Sequence, residues 1–396
     1  MIIIILPAIL KLFFLDPARL FEPHVIALEM IDSGEFRYWM NGGYNFNYQF
    51  PIYPTILYLI YSAGLGPFGA LVFNVLLGAG STFFTYRIAQ SLSKGGYFAN
   101  TIPLLAALAV SIHPFFAFYQ VKMVHPFALD MFFLLWLLCL SINASIADRK
   151  SIFLLGLLGG LALLNRPTTV MAILPFLLRG EWLAFFRSRN VGTLIMFTML
   201  LLIPVSGWLI RNYQIYEQVT LNSSIGQNLW IGIQEETEGT AQLPDGNSYM
   251  TLLNDDERDY LDRVGPMQES SFFTEKFKSE LSQDPSLWFE MMVLKFKNFW
   301  FFRSSLGVDH GDLVTRPVRI VHRVSSFLLF VFAFSSFLLR KKQINYVMLS
   351  VIALSLFQAV FYVETRHKLL VDPILIICSL IFIAHVIGKN KEHLEA

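Results

Sequence analysis

The chain is 396 residues long, 55% hydrophobic and 15% charged, with a mean hydropathy of +0.54, whereas a soluble domain carries roughly 25% charged residues. That composition excludes an ordinary soluble globule and points to a polytopic membrane protein. A net charge of +1 supplies no basic field for nucleic acid, and Cys139 and Cys378 both sit inside apolar runs, so no disulfide framework is expected.

Residues 1–15 are apolar apart from Lys11 and make a helix of about 22 Å, short of the roughly 20 residues a span normally needs. They read as a short first span, since a signal peptide would show a basic start and a small-residue cleavage site. Residues 21–54 form a polar, aromatic loop headed by a lone acid, Glu22. Val25, Ile26, Leu28, Met30 and Ile31 suit one half-apolar helix along a membrane surface, stopped at Ser33-Gly34. Pro51, Tyr53 and Pro54 fix a bend, because each proline locks its own φ and pushes its predecessor out of the helical region.

Residues 52–65 are too short to cross and are broken by Gly64, Gly66 and Pro67, so a helix on the outer leaflet is expected. Full spans are expected at 68–92, 100–120, 126–147, 152–164, 168–178, 191–210, 318–339, 346–363 and 369–387. With the first, that makes about ten. The central Asn165-Arg166-Pro167 favours two short helices meeting at a turn over one kinked helix. Residues 212–317 are the one sizeable hydrophilic region, with a candidate strand at 219–221, helical spacing at 272–278 and 287–302, and little sign of an independent core. The organisation expected is an N-terminal membrane part over 1–211 carrying the loop at 16–54, an external region over 212–317, and a C-terminal three-helix membrane segment over 318–396.

Orientation follows Lys and Arg in short loops. Alternate turns collect Arg87, Lys94, Arg149, Lys150, Arg179, Arg187, Arg189, Arg340, Lys341, Lys342, Lys389 and Lys391. The opposite short loops hold only Lys122, Arg166, Arg366 and Lys368, which puts the Glu22 loop and the long hydrophilic region outside and both termini in the cytoplasm.

Glu22, Arg166, Arg211 and Arg366 with His367 fall at the outer ends of apolar runs, where ionisable groups are costly and mark function. The plainer readings are anchors in headgroups for Arg211 and Arg366 and a helix-end charge for Glu22. Arg166 has little reason to sit in a turn between two short spans unless it faces a cavity or pairs with an acid. Asp130 is available to pair with Arg166 or His125. His113 and His125 bracket a turn, yet no spacing of Cys, His and carboxylates makes a metal signature, so a divalent metal is left open. Nucleotide-loop and serine-hydrolase motifs are absent from the sequence.

Several short segments in order then carry a family resemblance. They are Glu22 with the helix after it, the Pro-x-Tyr-Pro at 51–54, Arg166-Pro167, Gly-Trp-Leu-Ile-Arg-Asn at 207–212, Asn-Leu-Trp-Ile-Gly at 228–232, Phe299-Trp300, and Glu-x-Arg-His at 364–367. Together the pattern resembles the polytopic GT-C glycosyltransferases that use polyprenyl-phosphate sugars, such as the aminoarabinose transferase and the protein mannosyltransferases. The resemblance implies an all-α, GT-C-like membrane enzyme in the cytoplasmic membrane of a prokaryote. It would transfer a sugar, with inversion, from a polyprenyl-phosphate donor to a glycan, lipid or protein acceptor on the outer face. Glu22 would be the catalytic carboxylate; Arg166, Arg211, Arg366 and His367 would bind the donor phosphate; Tyr53 and Asn228 would contact the acceptor or shape the loop. The chain departs from the pattern at Phe50, where relatives often carry a basic residue, and at His125-Pro126, where they carry an acid. A transporter or flippase of lipid-linked sugars, and a non-catalytic envelope scaffold, are the rival readings; a transporter is expected to show inverted repeats, which the sequence lacks. On the catalytic reading, Glu22, Arg166, Arg211 and Arg366 are expected to line one cavity.

Overall fold

The computed structural model describes residues 2–40, 43–145, 148–180, 191–300 and 316–395. Among them five helices are long and apolar enough to cross a membrane alone: Gly66–Ser93, Gly192–Tyr216, Ile320–Leu339, Lys342–Val360 and Asp372–Asn390. A sixth arises if Ile102–Ser111 and Pro114–Lys122, bent by 46° at the break, count as one broken span. Ile2–Leu12, Ile52–Ser62, Phe127–Asn143 and Pro167–Leu178 are apolar but shorter. The count of ten is therefore not reached by length and composition. Proline accounts for part of the shortfall: Pro114 and Pro167 each open a new helix where an N–H is dispensable, and the residue before each is extended. The basic pair Arg187 and Arg189 lies outside the described residues.

Small residues let the bundle close. A Cβ on Gly160 would lie 2.5 Å from the Leu201 carbonyl oxygen, so the Arg149–Leu163 helix approaches the Val191–Tyr216 helix backbone to backbone. A Cβ on Gly78 would strike the Gln120 amide, which accepts from Lys11 Nζ at 2.7 Å and ties the first helix to the bent pair.

Two features correct the expectation of a purely helical chain. Arg19–Leu20 pairs in parallel with Met123–Val124, and Tyr38–Met40 pairs antiparallel with Gly43–Asn45. Strands of two or three residues are too short to show an alternating pattern, which is why they were not read. At 219–221 no strand forms among the described residues. There Asn212 Nδ2 donates to the Thr220 carbonyl at 2.8 Å and Trp208 Nε1 to the Leu221 carbonyl at 2.7 Å, so side chains take the place of a ladder.

The hydrophilic region does have a small core, contrary to expectation. Trp230, Ile231, Leu253, Leu261 and Phe273 are all buried together, and Tyr362, from the turn before the last long helix, packs on them. The aromatic-faced helices are Pro266–Gln283, longer than the expected 272–278, and Pro285–Trp300, which starts two residues before the expected 287.

Candidate functional site

Glu22 opens the helix Glu22–Ser33, with Phe21 extended before it and Pro23 in the first turn, and Gly34 at φ 77° stops it. A carboxylate in a first turn is favoured by the helix dipole. The helix is held by His24, whose Nδ1 lies 2.9 Å from the Tyr61 hydroxyl. Immediately upstream, Asp16 N donates to the Val121 carbonyl at 2.9 Å, Asp16 pairs with Lys122 at 2.7 Å, and the parallel strands follow. The chain thus runs beside residues 121–124, more than a hundred positions away, and delivers Phe21 edge-on to His125 with ring centroids 5.1 Å apart.

Arg166 enters from the turn between Arg149–Leu163 and Pro167–Ile173. Its Nε donates to Asp130 Oδ2 at 2.7 Å, while Asn165 Nδ2 donates to Asp130 Oδ1 at 2.7 Å. Asp130 is 1% exposed, and both of its oxygens are thereby satisfied. The Arg166 Nη groups make no hydrogen bond among the described residues. The guanidinium is fixed at its Nε end.

Arg366 and His367 sit on the short helix Thr365–Leu369. Arg366 Nη1 lies 3.2 Å from Glu364 Oε2. Arg366 also interacts electrostatically with Tyr119, Arg166, Glu22 and Asp130. Tyr362 is coupled to Glu364, Arg166 and Glu22, and its phenol is pushed up by burial first and by Glu364 next. Tyr48, from the first loop, is likewise raised by burial and then by Glu22. Glu22, half-buried, makes no hydrogen bond or ion pair among the described residues. A partnerless carboxylate, two guanidinium groups and neutral phenols therefore share one electrostatic neighbourhood, assembled from four distant stretches of chain.

Arg211 is placed elsewhere, against the expectation of one shared cavity. Its Nη1 donates to the Phe46 carbonyl at 2.8 Å and its Nη2 to the Phe36 carbonyl at 3.1 Å. The guanidinium lies over Trp208 at 4.6 Å and Phe36 at 5.4 Å. Its electrostatic partners are Tyr216 and Glu35, not Glu22. Tyr53 is 1% exposed, and its hydroxyl donates to Asn74 Oδ1 at 3.3 Å. Asn74 Nδ2 in turn donates to the Met123 carbonyl at 3.1 Å, so Tyr53 shapes the strand pairing from within the core. Asn228 bonds locally, its Nδ2 to Ser224 Oγ at 3.4 Å.

Sequence reading gave Asp130 and His125 little weight and missed Tyr48, Tyr362 and Lys295. Lys295 is 0% exposed, and its Nζ donates to the Phe361 carbonyl at 2.8 Å, bracing the turn that leads to Arg366. A basic residue in the aromatic run before Phe299-Trp300 was the available signal. Among the described residues no three His, Cys, Asp or Glu side chains gather as a metal site. A cavity of about 970 Å³, lined by Gln90, Lys94, Asn143, Lys341 and Lys342, opens at the opposite ends of the long helices and shares none of these groups.

No family model matches the sequence, and no curated protein does. Solved structures are similar to it, among them two of one protein. The crystal structure of ArnT from Cupriavidus metallidurans bound to undecaprenyl phosphate is 12% identical with a TM-score of 0.42, covering 97% of this chain and 77% of that one. The same protein in the apo state is 13% identical with a TM-score of 0.41 and the same coverage. Likeness at that level leaves the chemistry of this site to its own residues.

Proposed function

We propose that the protein is a membrane glycosyltransferase that moves a sugar from a polyprenyl-phosphate donor to an acceptor hydroxyl on the outer face of the cytoplasmic membrane. The observation that carries this reading is the pairing of opposites at the site. A carboxylate with no hydrogen bond or ion pair among the described residues interacts electrostatically with Arg366, which in turn senses Arg166, and Arg166 is held by Asp130 with no hydrogen bond to its Nη groups among the described residues. The ordered motifs that resemble the GT-C transferases supply the reaction class.

Glu22 accepts the proton of the acceptor hydroxyl as its oxygen attacks the anomeric carbon. The bond from that carbon to the phosphate oxygen breaks, its electron pair stays on the phosphate, and configuration inverts. Arg166 and Arg366 stabilise the charge that builds on the leaving phosphate, through the paired N–H geometry guanidinium offers to phosphate oxygens. His367 completes that donor set. Arg211 acts one step back, by fixing the loop that carries Tyr48. The donor tail lies among the helices, and Ile2–Leu12, Phe127–Asn143, Arg149–Leu163 and Pro167–Leu178 supply the crossings that the long helices and the bent pair leave of the ten in the sequence reading.

The test is sugar transfer in reconstituted vesicles from a polyprenyl-phosphate sugar, comparing wild type with Glu22→Gln. Turnover is expected to fall by about 10² to 10⁴ while donor binding survives. A fully active Glu22→Gln protein would remove Glu22 as the base, and wild-type vesicles that move the lipid-linked sugar across the bilayer without transferring it would make the protein a transporter.

A further inference from the structure

The cavity of about 970 Å³ at the far ends of the long helices plays no part in the reaction proposed above. Three elements wall it: the end of the Gly66–Ser93 helix with the turn after it, the last residue of Phe127–Asn143, and the first turn of Lys342–Val360. Ser91 Oγ donates to Asn143 Oδ1 at 3.0 Å and ties the first two together. Gly95, at φ 70°, turns the chain, and a Cβ on Gly96 would lie 3.3 Å from Lys341 Nζ, so the third wall reaches across to that turn.

Lys94, Lys341 and Lys342 line the space, and no carboxylate does among the described residues. None of the three ammonium groups makes a hydrogen bond or ion pair among the described residues. Lys94 and Lys342 are exposed and Lys341 half-buried, so water reaches them all, and what calls for a reason is their placement. Lys94 follows a helix C-terminus, where the dipole favours a cation. Lys341 and Lys342 are the N-cap and first residue of a 19-residue helix, where the dipole already concentrates positive charge and cations are misplaced. No side chain caps that end among the described residues, and a helix leaves its first N–H groups in need of an acceptor. A bias of basic residues to one side of a membrane accounts for lysines in these loops. It does not account for three of them meeting in one cavity at a helix N-terminus. An oxyanion there would answer both the ammonium groups and the N–H groups.

We propose that this cavity binds the phosphate of an anionic phospholipid drawn from the leaflet at these helix ends. A lipid suits it better than a free phosphate ion, because Leu92, Ala99 and Ile344 set apolar surface beside the lysines and the space is far larger than one phosphate fills. Basic recesses between spanning helices take such headgroups. One bound counter-charge relieves the repulsion among the three ammonium groups and holds the ends of the Gly66–Ser93 and Lys342–Val360 helices together. The site is separate from Glu22 and does not depend on the reaction assigned there.

The experiment is native mass spectrometry of the purified full chain in a neutral detergent, titrated with phosphatidylglycerol. Phosphatidylcholine with the same acyl chains is the zwitterionic control, and inorganic phosphate is the soluble competitor. Wild type is expected to prefer phosphatidylglycerol by about tenfold or more. The double variant Lys341→Gln/Lys342→Gln is expected to lose about thirtyfold in that affinity, a factor of about five for each lysine. Lys150→Gln/Lys389→Gln removes two exposed lysines that do not line the cavity and should change affinity by less than about threefold. Lys341→Arg/Lys342→Arg keeps the charge and should bind within about threefold of wild type, which separates lost charge from lost structure. Equal affinity for phosphatidylcholine overturns the proposal, and so do equal losses in the two Gln pairs or an Arg pair as weak as Lys341→Gln/Lys342→Gln. Displacement of the lipid by an equal concentration of inorganic phosphate makes this a site for a soluble anion and overturns the lipid assignment.

Discussion

Arg166 and Arg211 each stand where an apolar stretch gives way to a more polar one, and their nitrogens have different destinations. Arg166 gives Nε to one oxygen of a buried carboxylate and keeps its Nη groups unengaged among the described residues. Arg211 gives its Nη groups to the carbonyls of Phe36 and Phe46 and lies against Trp208. The first arrangement orients a guanidinium without saturating it, so an incoming anion finds donors already aimed. The second commits both Nη groups to backbone carbonyls, so the residue serves as a staple between the Val191–Tyr216 helix and the first loop. The two arginines differ in which of their nitrogens are occupied, and by what.

The comparison breaks most readily at Arg166. Arg166→Met leaves Asp130 buried with only Asn165 as partner, and removing one member of a buried pair costs about 3 to 5 kcal/mol. Arg166→Lys retains a charge for Asp130 but loses the fork. It is expected to fold and to bind the polyprenyl phosphate about ten- to hundredfold more weakly, read by titration at matched protein levels. A Lys variant with unchanged affinity would make Arg166 a staple as well.

Arg211 should answer differently. Arg211→Met forfeits two bonds to carbonyls and the contact with Trp208, a loss of about 1 to 3 kcal/mol in loop stability. Hydrogen exchange should quicken at residues 36–46 while affinity for the donor phosphate stays within about twofold. Phosphate affinity that falls as far as in Arg166→Lys would erase the distinction between the two.

Lys295 extends the staple to its limit, since its ammonium is fully buried against carbonyls with no carboxylate partner among the described residues. Burial lowers its pKa from 10.5 to about 7. The unfolded chain therefore holds one more proton than the folded one between those two values, and stability rises with pH across that window. Below about 7 the full cost of the buried charge is present in the folded state. In Lys295→Met this contribution should vanish, so the difference in melting temperature between wild type and variant should change with pH between 7 and 9. A constant difference would show that the lysine titrates as if in water.

Much of this was legible in the chain itself. The hydropathy, the helix from Glu22 to Gly34 and the break at Arg166-Pro167 all follow from local rules: apolar runs need a lipid-like surround, a glycine in left-handed conformation ends a helix, and a proline cannot continue one. So do the residue types of the site, because charge at the edge of hydrocarbon needs a reason. The partners were not legible. That Asp130, rather than Glu22, takes Arg166 depends on the side of the Phe127–Asn143 helix that faces the turn, and apolar residues fill all its sides, leaving no polar face to read. That Arg211 turns toward Phe36 and Phe46 depends on the path of a loop with no periodicity. The approach of Phe21, next to Glu22, to His125 depends on a two-residue parallel pairing between segments 104 positions apart in register, Arg19 with Met123. Local propensity acts over a few residues and determined the elements; which charge meets which was decided by long-range packing, where each buried group had to find its partner in space.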